Sequence, residues 1–179
     1  MTRQAFEDFI NRQAAGTAEQ EINWAQQRDE WLQYLDQFYE TVKRFVDEYV
    51  RAGKIQLTFH SKEMHEEDIG EYEAKSLELK IGSSTIRFNP VGTNLIAAKG
   101  RVDMIGAKGT VKFVLVPKDS AGPRITFHVY TENEKPPAAE PAQAVTEWAW
   151  KISTPPPNVR FMEIEEESFY TAMMEVTNG

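Results

Sequence analysis

Residues 17–52 read TAEQEINWAQQRDEWLQYLDQFYETVKRFVDEYVRA, and within them Trp24, Trp31, Phe38 and Phe45 recur at a constant spacing of seven. On a helix that spacing draws one stripe along the surface. Leu35, Val42 and Tyr49 lie four residues after the last three of these aromatics, and Leu32, Tyr39 and Val46 widen the apolar face on its other side. A face this wide must be buried against something. Thr17 with Gln20 three residues later has capping-box spacing, while Arg51 and Gly53 supply a basic last turn and a residue suited to positive φ. Thirty-six residues of helix extend roughly 54 Å, longer than a small domain is wide. The pattern predicts a core helix laid on a sheet of its own chain, with one end outrunning that sheet.

Sevenfold repetition would also serve a coiled-coil seam. Two features argue against a simple two-stranded coil. Bulky aromatics fill a seam position where such coils favour Ile, Val and Leu, and Arg28 stands where the companion stripe would begin. Packing on the chain's own sheet is the preferred reading. The candidate partner surface is then the end that outruns the sheet, marked by Trp24 and Trp31.

Before this stretch, Thr2 is placed to cap a short helix carrying Phe6, Phe9 and Ile10 on one face, and Gly16 is placed to end it. After Gly53 the apolar period drops to two. Ile55, Leu57 and Phe59 alternate with polar residues, and so do Leu77, Leu79 and Ile81. Both runs read as half-buried strands, with Lys62–Asp68 as a charged connector between them. Gly82-Ser83 suits a hairpin turn, Thr85–Phe88 a further strand, and Asn89-Pro90-Val91-Gly92 has turn chemistry.

The segment Ile96-Ala-Ala-Lys-Gly-Arg-Val102 is echoed nine residues later by Ile105-Gly-Ala-Lys-Gly-Thr-Val111. Each Lys-Gly pair suits a tight turn or bulge between short strands, or a close approach of backbone to a ligand. A phosphate-cradling loop needs a helix next, whereas Val111–Val116 is strand-like. Lys112–Val116 is apolar on both parities after Lys112, as a central strand covered on both faces requires. Ile125, Phe127 and Val129 alternate with Arg124, Thr126, His128 and Tyr130, a strand with one strongly polar face. Thr131–Ala144, rich in Pro, Glu and Ala, reads as a surface loop. Trp148, Trp150 and Ile152 mark another strand, closed by Pro155-Pro156-Pro157, and Val159–Ile164 adds an edge strand. Glu165–Val176 reads as a helix with acids in its first turn and Phe169, Met173 and Val176 on one face.

The order helix, strands, helix indicates an α+β fold. A long N-terminal amphipathic helix packs on a curved antiparallel sheet of about 7–8 hairpin-linked strands, with a short C-terminal helix. At 179 residues, 1–179 suits a single domain: a helical segment 1–53, a sheet 54–164 and the C-terminal helix 165–179.

Composition narrows the chemistry. The chain is 41% hydrophobic and 27% charged, with a formal charge of -8 and no cysteine. Scattered basic residues in an acidic chain argue against nucleic acid and anionic membrane surfaces. Disulfides, thiolate nucleophiles and cysteine-based zinc sites are excluded, and a cytoplasmic location is expected in the absence of a secretory pattern or membrane span. No serine stands in a Gly-x-Ser-x-Gly turn. His60 and His65 with Glu63, Glu66, Glu67 and Asp68 form the one local cluster of metal-ligand types, at a spacing that matches no zinc signature, so no metal site is assigned. No catalytic residue and no cofactor is assigned either.

The leading expectation is a non-enzymatic binding or protein–protein interaction module, acidic, with homo-oligomerisation as one form. The alternative is a small-molecule site or unrecognised enzyme on the polar sheet face, with Arg87, Arg124, Thr126, His128 and Tyr130 as the candidate ligand face. An acidic surface attracts a basic partner.

Overall fold

The computed structural model describes residues 3–93, 98–123 and 147–178, and the side chains of the first helix from Trp24 onward. Helix α1 spans Arg3–Arg51, and strands β1 (Gln56–Glu66), β2 (Gly70–Ile81), β3 (Ser84–Gly92), β4 (Gly100–Ile105), β5 (Thr110–Pro117), β6 (Trp148–Ser153) and β7 (Phe161–Glu163) precede helix α2 (Glu166–Asn178). Among the described residues, seven strands form one open antiparallel sheet in the order β1 to β7. This is the α+β arrangement expected from the change of apolar period after Gly53.

α1 buries Trp31, Leu35, Phe38, Tyr39, Val42 and Val46 against one face of the sheet. Phe38 sits at the centre, with ring centroids 5.0 Å from Phe113, 4.9 Å from Trp150 and 6.0 Å from Phe88. α2 covers the remainder of the same face, stacking Phe169 on Phe88 at 6.2 Å and seating Phe45 of α1 at 5.3 Å. Each such buried side chain contributes about 1.5–3 kcal/mol relative to an exposed one. α1 ends as Gly53 demands: its φ is +69°, and Lys54 N–H bonds back to the Tyr49 carbonyl at 2.9 Å. At the start of α2 the Ser168 hydroxyl accepts the Glu165 N–H at 2.9 Å, the reciprocal half of a capping box.

β5 is the central strand that its double-parity apolar run calls for: Val111, Phe113, Val114, Leu115 and Val116 are all buried. Three boundaries differ from the sequence expectation. The chain does not break at Gly16, because α1 runs through it; one glycine costs only about 1 kcal/mol in a helix, and good helix formers flank it. Lys62–Glu66 is no connector. β1 continues to Glu66 and pairs with β2 over its whole length, leaving only the short tip before Gly70, whose φ is +87°. Asn89–Gly92 is likewise strand, with the register shift between Pro90 and Gly92 taking up the proline's missing N–H. The expected strand Arg124–Tyr130 and the loop Thr131–Ala144 lie outside the described residues. No helix among the described residues is long and apolar enough to cross a membrane.

The β1–β2 hairpin carries the fold toward its site. Near its base Leu77 and Leu79 are buried, whereas toward its tip the buried residues are Met64, Glu66 and Ala74, of the other parity. The register stays unbroken from Gln56↔Lys80 to Glu66↔Gly70, so no bulge explains the change. β2 pairs with β3 only from Leu77 onward. Beyond that rung the two-stranded ribbon twists freely, as such ribbons do, and turns its other face to the core.

Candidate functional site

The twisted hairpin tip, the Trp24–Glu30 stretch of α1, the entry to β4 and the start of β6 enclose a pocket of about 430 Å³. Trp24 and Trp148 supply indole walls, and Glu30, Glu66, Asp68 and Lys99 supply the charges. Among the described lining residues three carboxylates thus stand with one ammonium.

Lys99 is fixed at its backbone, where its N–H donates to the Leu115 carbonyl at 2.7 Å. Its side chain crosses to α1 and donates to the Glu30 carboxylate. On the way the ammonium lies 5.2 Å from the Trp148 ring centroid and 5.5 Å from that of Tyr34, both within cation–π range. The hydrogen bond from Lys99, and after it that from Gln26 at 2.9 Å, hold the Glu30 carboxyl below the usual carboxylate range. The orientation of Trp148 is set by β6, whose next aromatic, Trp150, donates its indole N–H to the Tyr34 carbonyl at 2.8 Å.

Glu66 forms the inner wall. It is 8% exposed and accepts from the Thr93 N–H at 2.9 Å, from the Thr93 hydroxyl at 2.8 Å and from the Tyr72 phenol. The carboxylate therefore ties the hairpin tip to the end of β3. Gly92 makes room for it: its φ is +120°, and a side chain there would meet the Glu66 carboxylate at 2.8 Å. Burial first, and the Glu66 carboxylate second, push the Tyr72 phenol well above its ordinary value. The Trp31 indole N–H acts on Tyr72 in the opposite sense, yet makes no hydrogen bond of ordinary geometry.

The sequence-designated residues fall in different places. Trp24 is half-buried in the pocket wall. Trp31 is 0% exposed; it packs at 5.9 Å from Trp150 and lies against Gly100, so its surface is used inside the chain. Arg87 lies on the opposite, solvent face of the sheet, where its Nε donates to Glu78 at 3.0 Å. Arg124, Thr126, His128 and Tyr130 lie outside the described residues. His65 is exposed beside Glu71 at 3.7 Å, and among the described residues no group of three metal-ligating side chains converges. Lys99, Glu30 and Trp148 are not singled out as a site by the sequence, and Glu66 enters there only within the cluster of metal-ligand types. Glu30 and Lys99 stand 69 residues apart, so only the folded chain brings them together.

Among the described lining residues there is no histidine or serine, the Thr93 hydroxyl donates to Glu66, and Lys99 is paired with Glu30. The chain matches no family model, no curated protein and no solved structure in any of the three comparisons.

Proposed function

We propose that the protein is a non-enzymatic binding module whose pocket receives a positively charged group of a partner protein. The observation that supports this reading is the pocket wall, whose described residues include two indoles, three carboxylates and one ammonium. Indole faces attract cations through the ring quadrupole, most strongly where water is partly excluded. Carboxylates set the sign of the partner, and the chain's net charge of -8 adds long-range attraction for a basic surface. The committed hydrogen bonds of Glu66 and Thr93 favour a fixed recognition surface over proton transfer, which needs a group free to exchange its proton.

The test is a calorimetric titration with a lysine- and arginine-rich peptide and with an acidic peptide of equal length. Binding of the basic peptide alone is expected, weakened about tenfold or more by Trp24→Ala and by Trp148→Ala, and falling with added salt. Equal binding of the acidic peptide, or binding indifferent to both substitutions, would overturn the reading.

A further inference from the structure

The far end of α1 carries a second opening. Roughly 24 Å along the helix from Glu30, at about 1.5 Å for each residue to Val46, the last turns of α1 and α2, the start of β1 and the β2–β3 hairpin line an open groove of about 360 Å³. It shares no lining residue with the cation pocket. Val46, Ile55, Ile86 and Met173 are buried and give the groove an apolar floor, while Met174, 57% exposed, adds an adaptable thioether wall. Small-molecule sites combine such walls, from about 300 Å³ upward, with a few placed polar groups.

Lys54 supplies the only charge among the described lining residues. It is exposed, and among the described residues no carboxylate pairs with it. The acceptors around it are engaged. At the end of α1 the Glu48 carbonyl takes the Ala52 N–H, the Val50 carbonyl the Gly53 N–H, and the Tyr49 carbonyl both the Lys54 and the Ile55 N–H, at 2.9 and 3.2 Å. On α2 the Thr177 hydroxyl donates to the Met173 carbonyl at 2.7 Å, and the Tyr170 phenol is held between the Phe45 carbonyl and the Glu166 carboxylate, each at 2.7 Å. The Asn178 amide serves a donor or an acceptor alike. A cationic head group therefore finds no free carboxylate in this lining, whereas an anionic one finds an unpaired ammonium. The end of α2, with no basic residue in its last turn, contributes about half a negative charge, which the full charge of Lys54 outweighs. We infer that the groove is a second binding site, taking a free monocarboxylate with an alkyl body, its carboxylate on Lys54 and its chain on the apolar floor.

The test titrates hexanoate, octanoate and decanoate into the protein, with octan-1-ol and octylammonium as head-group controls, while following the methionine methyl resonances. Those of Met173 and Met174 are expected to shift and saturate, and that of Met162, exposed on β7, to stay in place. Affinities are read at the Met173 and Met174 methyls, which keeps any binding of octylammonium in the cation pocket out of the comparison. They are expected to rise up to about fourfold for each added methylene, with octanoate the tightest of the three eight-carbon probes. Lys54→Gln is expected to weaken octanoate about tenfold while leaving octan-1-ol unchanged, Lys54→Arg to restore it, and Lys43→Gln, outside the groove, to have no effect. Lys54 is exposed, so these variants keep the fold, and thermal melts check that they do. Octan-1-ol or octylammonium binding as tightly as octanoate, Lys54→Gln without effect, or a Met162 shift as large as those of Met173 and Met174 would overturn the inference. None of these outcomes touches the pocket at Trp24 and Trp148, so the basic-peptide titration is decided separately.

Discussion

At the scale of single residues, Gly100 and Gly109 stand in matching positions of the internal echo but carry different constraints. A Cβ at Gly100 would lie 2.2 Å from Trp31 Cζ3, whereas one at Gly109 would meet nothing within 4 Å. Gly100→Ala is expected to destabilise by about 2 kcal/mol through overpacking, and Gly109→Ala to change stability by less than about 0.5 kcal/mol. Paired urea melts check the contrast, and equal effects would remove the assigned role of Gly100. The echo is legible in the sequence; which copy sits beneath an indole is not, because Trp31 lies far away in the chain. Glu30 carries a pH signature. Its folded pKa is depressed, chiefly by Lys99, so its contribution to stability is full above the ordinary carboxylate range and fades as pH falls through the folded value. Glu30→Gln is expected to flatten that acid limb of the stability profile, and an unchanged limb would place the dependence elsewhere.

At the scale of elements, α1 explains why the opening stripe is only partly buried. A strict repeat of seven drifts about 20° per heptad on a straight helix of 3.6 residues per turn. Trp31 and Phe38 stay on the sheet, while Trp24 and Phe45 at the two ends rotate toward its margins, Trp24 into the pocket and Phe45 onto Phe169. The helix face was therefore legible from its period, and the fate of each aromatic was not, since that depends on where the sheet ends. The parity change in the β1–β2 hairpin hid from sequence for a related reason: Met64, Glu66 and Ala74 become internal only because the ribbon twists where β3 no longer pairs with it. Glu66→Ala is expected to cost about 2–3 kcal/mol, as the buried Thr93 and Tyr72 donors lose a charged acceptor. Amide exchange should accelerate at the hairpin tip while β3–β5 stays protected; uniform acceleration would contradict a local tie.

For the whole molecule, buried residues drawn from α1, β1 to β6 and α2 form one contiguous core. A single cooperative calorimetric transition is expected, with van't Hoff and calorimetric enthalpies in agreement; two resolved transitions would contradict it. The fold class and the central place of α1 follow from apolar period alone, because hairpin-linked strands pair with their chain neighbours. The pocket does not, because each of its walls comes from a different element and its charges meet only after the hairpin has twisted. Its claim on function is best tested through the four tryptophans, whose indole N–H resonances report separately on pocket and core. On addition of n-butylammonium, the signals of Trp24 and Trp148 are expected to shift and saturate, with those of Trp31 and Trp150 moving less. Unmoved Trp24 and Trp148 signals, or equal shifts with an alkyl sulfonate of the same length, would contradict a cation-binding pocket.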